Sequence, residues 1–274
     1  MHADTIFKFK RLTGSGRIVC GKKYDVKEFM FREKLPEHIQ FVWNGVSNRE
    51  ALRQFLLSDI HWGEIDVRFD RVSEQLIIRK DSFEERPKGA NEDYVLLGDF
   101  LQQFCKYGKG VKLDIREGGE VLEIILRKLR DFNMEITDIW FNAGIDALTG
   151  NEFINLSDNY RGAIIQCPVD FLVPTIISSP EKARDILLTL GLWGINRFSI
   201  SWESSDKRKV MDFMEESGFQ INICDIADLE SFIKAILLMP RSVTSDFDLQ
   251  GWNISEAPGI RDCSGWMYGF ASGI

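Results

Sequence analysis

The stretch GEIDVRFD, Gly63 to Asp70, decides how this chain is read. Ile65, Val67 and Phe69 alternate with Glu64, Asp66, Arg68 and Asp70, and on a β-strand alternate side chains share a face. One face is therefore apolar and suited to burial, while the other carries three carboxylates and a guanidinium. The spacing alone is compatible with a solvated face and with a metal site.

Working outward, seven further runs read as strands: HIQFVW (38–43), VKLDI (111–115), DIWFNA (138–143), GAIIQC (162–167), RFSISW (197–202), FQINIC (219–224) and SVTSD (242–246). Segments such as NREALRQFLLSD and EVLEIILRKLRDF lie between them, with apolar residues at helical spacing. Repeated βα units call for a parallel sheet covered by helices, and eight of them close most simply into an α/β, (β/α)8 TIM-like barrel. The competitor is an open doubly wound sheet, but no Gly-rich dinucleotide fingerprint follows any strand. QLIIRK (75–80) reads as an extra strand, followed by the charged loop DSFEERPKGANED.

Short β-rich additions are expected at both ends. FKFKRL and GRIVCGK flank TGSG and predict a hairpin within residues 1–35. The barrel would occupy 36–247, and the aromatic segment 248–274, with Trp252, Trp266 and Phe270, would pack on it as a tail.

The bulk composition excludes several classes of function. With 44% hydrophobic and 28% charged residues, the chain suits a globular protein. No apolar run approaches the roughly 18 residues that span a bilayer, and the N-terminus has no signal-peptide core, so a cytoplasmic location is expected. A net charge of −8 argues against nucleic acid as a partner. The five cysteines are widely spaced, which predicts reduced, buried thiols.

Active sites of such barrels lie at the carboxyl ends of the strands. The residues expected there are Trp43, Asn44, Glu64, Asp66, Lys80, Asp81, Asp114, Arg116, Asn142, Gln166, Trp202, Glu203, Asp225 and Asp246. Glu64, Asp66 and Asp114 form the sharpest set, because inward carboxylates on adjacent strands repel unless they are protonated or share a cation. An all-oxygen set suits Mg²⁺ or Ca²⁺. Pairing with Lys112, Arg68 or Lys80 would neutralise it equally well. Asp70 reads as a turn residue.

The series GVSNREAL, GEIDVRFD, LIIRKDSFE, VKLDIRE and VTSDF resembles the plan of the glycerophosphodiester phosphodiesterase superfamily. KLDIRE followed by DIWFNAGI is more similar still to the menorin branch of that superfamily. The resemblance spans about residues 40 to 247. It implies metal ligands at Glu64, Asp66 and Asp114, a phosphate-side or structural role for Lys112 and Arg116, and a pocket residue at Asn142. Gln166, Trp202 and Glu203 would complete the substrate-binding set.

Active members of the superfamily use two histidines as acid and base. The matching positions here are Trp43 or Asn44, and Lys80, which leaves these three as weak catalytic candidates. The chain's histidines are His2, His38 and His61, and the latter two precede strands instead of following them. Asn cannot transfer a proton, and nearby carboxylates would keep Lys80 charged. The expectation is a degenerate phosphodiesterase-like barrel, a pseudoenzyme that binds a small phosphorylated ligand or a protein partner. The alternative is a metal-dependent phosphodiesterase or lyase with non-histidine acid/base groups. Lys80 is expected to reach the carboxylates and compete with the metal.

Overall fold

The computed structural model describes residues 38–58, 60–87 and 94–245. The expected N-terminal hairpin, the C-terminal tail and Asp246 lie outside the described residues. Eight parallel strands close into a barrel in the order β1 (Gln40–Trp43), β2 (Trp62–Asp70), β5 (Gly110–Ile115), β6 (Ile139–Asn142), β7 (Ile164–Pro168), β8 (Arg197–Ser201), β9 (Ile221–Ile226) and β10 (Ser242–Ser245), with β10 pairing back to β1. Two further strands, β3 (Gln75–Ile78) and β4 (Val95–Leu96), extend β2 antiparallel beyond its pairing with β5. QLIIRK is thus a strand, as its alternation predicts.

Helices return the chain between barrel strands: α1 (Arg49–Leu57), α2 (Leu97–Tyr107), α3 (Glu120–Asp131), α4 (Gly150–Asn159), α5 (Val173–Ser178), α6 (Pro180–Leu192), α7 (Lys207–Glu216) and α8 (Leu229–Leu237). Their starts are written locally. Asn48 accepts from Ala51 N at 2.9 Å, Thr149 and Glu152 form a reciprocal capping box, and Asp228 accepts from Ser231 N at 2.9 Å. The short α5 escapes the helical pattern because its run, VPTIIS, is too brief to show a period.

The opening stretch divides as its alternation requires. Ile65, Val67 and Phe69 pack in the layer between strands and helices, beside Phe55 of α1 and Phe104 of α2. Gly63 shares that outer face, and a Cβ there would lie 2.9 Å from both the Phe55 and Phe104 rings, so the residue lets two helices approach β2 closely. The inward apolar residues are few. Val42, Trp62 and Trp140, with Ile164 against them, form a separate plug inside the barrel. The remaining buried interior includes Glu64, Asp66, Lys112, Asp114, Asn142, Gln166, Arg197, Ser199, Asn222, Ser242 and Thr244. Burying that much polarity requires a connected network, and its upper end is the site below.

Among the free cysteines, Cys167 is buried as expected, but Cys105 is exposed. It falls on the outer side of α2, whose buried residues are Leu97, Phe100, Leu101 and Phe104.

Candidate ligand site at the barrel mouth

Strand register sets the site. Glu64 lies beside Lys112, Asp66 beside Asp114, Asp114 beside Asn142, and Asn142 beside Gln166. Residues in register on adjacent strands share a face, so all six enter the barrel near its carboxyl end. Gln166 Nε2 donates to Asn142 Oδ1 at 2.7 Å, and Asn142 Nδ2 donates to Asp114 Oδ1 at 2.8 Å. Arg116 caps the row, paired with Asp114 and lying 3.5 Å from Asp66. Deeper in, Lys112 Nζ is 3.2 Å from Glu64 Oε1 and 3.2 Å from Thr244 Oγ1, which donates onward to Asn222 Oδ1 at 3.1 Å.

The electrostatics follow from burial. Glu64 titrates above the ordinary carboxylate range because burial disfavours its charge and Asp66 adds to the effect, although Lys112 opposes both. Asp114 is pushed up to about 7 by burial first and by Glu64 next, against the pull of Arg116. Arg116 loses by burial, but Asp114 and Asp66 outweigh that and raise it.

Other expected site residues stand apart. Lys80 is exposed, and the cations that meet the carboxylates are Lys112 and Arg116. The cause is the neighbouring residue: Arg79 is buried, with its guanidinium over the Phe83 ring at 4.5 Å, which leaves Lys80 on the opposite side of the chain. Trp43 points outward into the helix layer, edge-on to Phe55 at 6.1 Å. That fixes the register at the first strand, and Asn44, half-buried, is the position in phase with the interior. Trp202 packs against the outer core under Lys207 Nζ at 4.8 Å, Glu203 is exposed, and neither hydrogen-bonds or ion-pairs with the carboxylate row. Asp70 accepts from Val72 N and Ser73 Oγ, as a turn residue should.

Asp225, expected at the carboxyl end of its strand, sits on an irregularity that the spacing conceals. Between Val243 and Ser245 of β10, β9 carries one extra residue, and Asp225 there has φ of 58°. Its charge reaches Glu64. A bulge of this kind leaves no periodic trace in sequence.

The three carboxylates have the right chemistry for a hard divalent ion, and two cations stand among them. Among the described residues no three His, Cys, Asp or Glu side chains are placed to hold a metal. Lys112 and Arg116 supply the positive charge there instead. The described histidines are at the other end: His61, just before β2, lies 3.1 Å from Asp138, and His38 precedes β1.

Solved structures share this fold. A candidate glycerophosphoryl diester phosphodiesterase from Agrobacterium tumefaciens aligns with a TM-score of 0.60 at 11% identity, covering 76% of this chain and 93% of that one. An Oleispira antarctica phosphodiesterase, solved with the product sn-glycerol-3-phosphate, gives 0.56 at 16% identity over 78% and 94%. A Parabacteroides distasonis glycerophosphodiester phosphodiesterase gives 0.55 at 12% over 78% and 95%. No protein-family model and no curated protein matches the sequence. The fold is that of the glycerophosphodiester phosphodiesterase-like barrels. Among the described residues no helix is long and apolar enough to cross a membrane.

Proposed function

We propose that this chain binds a small phosphorylated ligand at the barrel mouth and lacks histidine-based phosphodiester cleavage. The observation that supports this best is the exchange of partners at the mouth: Arg116 and Lys112 stand among the carboxylates, and the described histidines sit at the opposite end. Arg116 keeps 46% of its side chain exposed, so its remaining N–H groups are available to a phosphate. One barrel of the same fold holds sn-glycerol-3-phosphate, which makes that compound the natural probe. On the likeness of KLDIRE and DIWFNAGI we place the chain nearest the menorin branch, as a cytoplasmic protein.

A second reading has one observation in its favour. Asp114, at about 7, is a carboxyl group with a proton to give near neutral pH, the property a general acid needs. In that reading the chain is a phosphodiesterase or lyase with a carboxyl acid. Asp114 cannot then also be a metal ligand, because a bound Mg²⁺ or Ca²⁺ requires the ionised form.

Calorimetric titration with sn-glycerol-3-phosphate, together with a turnover assay on glycerophosphodiesters, separates the two. The first reading expects saturable binding, weakened by Arg116→Gln, and no appreciable turnover. Turnover near the usual ~10 s⁻¹, abolished by Asp66→Ala, would establish the second.

A further inference from the structure

The floor of the barrel holds a cation that the mouth does not use. Arg197, the first residue of β8, is 3% exposed. Its Nη1 donates to Gln40 Oε1 at 2.5 Å and Ser242 Oγ at 3.3 Å, and its Nη2 donates to Gln220 Oε1 at 2.8 Å. All three acceptors are neutral. The Trp140 ring lies 4.8 Å from its guanidinium carbon. The charge that acts on Arg197 is another cation, Arg241, whose Nη1 donates to the His38 carbonyl at 2.7 Å. Asp138, the nearby floor carboxylate, is engaged with His61.

Two donors are left over. Arg197 Nε and Arg241 Nε are both buried without a hydrogen-bond partner among the described residues. Burial first, and Arg241 second, lower the Arg197 guanidinium to about 9. Neutral acceptors offset the desolvation of a buried cation only in part, and an unpaired buried donor adds its own cost. A second cation beside the first compounds both. An anion would satisfy the charge and the free N–H groups together.

We propose that the barrel floor is an anion site, in which Arg197 and Arg241 hold a carboxylate or a small oxyanion beneath Trp140. The occupant is a free anion of the size of formate or phosphate. This site is independent of the ligand at the mouth.

The test is thermal unfolding of the full chain in increasing formate or phosphate, with methanesulfonate balancing ionic strength. The midpoint rises with anion concentration, by about 3 °C at ten times the dissociation constant, and Arg197→Met abolishes the rise. The proposal is overturned if the wild type ignores both anions, or if the rise survives in Arg197→Met. Should Arg197→Met fail to fold, bromide-soaked crystals of the wild type replace it. An anomalous peak against the Arg197 guanidinium supports the site, and its absence overturns it.

Discussion

At the mouth, Lys112 and Arg116 stand against Glu64, Asp66 and Asp114, whereas at the floor the partners of Arg197 among the described residues are amide, hydroxyl and indole groups. Trp140 separates the two ends, with Lys112 Nζ 5.1 Å from its ring and Arg197 4.8 Å. One barrel thus buries cations in two ways. At the mouth each has an acid, and removing one partner strands a charge. At the floor no acid among the described residues pairs with the charge, and removing it strands none of them. The difference predicts that mutations at the two ends will diverge in cost.

The largest effect belongs to Lys112. It is 1% exposed, and its loss leaves Glu64 buried without its cation. Lys112→Met should cost about 3–5 kcal/mol in urea unfolding, and adding Glu64→Leu should recover much of that. Arg197→Met, measured without added anions, should cost clearly less. Equal losses at the two ends would break the comparison. Trp140→Ala, which opens a cavity between both cations, should cost about 3–5 kcal/mol by itself.

A smaller effect concerns pH. Asp114 titrates at about 7 in the folded chain against an ordinary value of 3.8. Between those values the native state holds a proton that the unfolded state has released. Stability from this group therefore falls as pH rises from about 4 to 7 and is flat above. Glu64, also raised, adds in the same direction. Comparing stability against pH for wild type and Asp114→Asn should show a shallower decline in the variant over that window. A parallel pair of curves would mean that Arg116 holds Asp114 ionised throughout.

Much of this arrangement is legible in the amino-acid sequence. Alternation in GEIDVRFD and VKLDI places Glu64, Asp66, Lys112 and Asp114 on inward faces, because period two and barrel closure leave no other choice. The eight strands follow from the same rule. What escapes is whatever depends on a break in period. The bulge at Asp225 is one case. Lys80 is another: the run LIIRK offers two adjacent cations, and the sequence cannot say which is buried, since that depends on Phe83 receiving Arg79. The floor site is hidden for a third reason. Gln40, Arg197, Gln220 and Ser242 are distant in sequence, and only closure of β10 on β1 gathers them.

The smallest effect separates Lys80 from Arg116. Either cation could oppose a metal, and the structure gives that position to Arg116, which touches Asp114 and Asp66 while Lys80 is exposed. An exposed lysine away from caps and the core usually changes stability by less than about 0.5 kcal/mol when replaced, and Lys80→Ala should behave so. Its charge also lies in solvent, where screening weakens it further. Arg116→Gln differs in kind. It removes the cation between two carboxylates, so repulsion between Asp66 and Asp114 grows, and a hard cation becomes the group best able to relieve it. Calorimetry with Mg²⁺ and Ca²⁺ should therefore show binding gained in Arg116→Gln and unchanged in Lys80→Ala. If Lys80→Ala alone admits the ion, the lysine side chain reaches the mouth in solution, and the pairing of Arg116 with the carboxylates is not what governs the site.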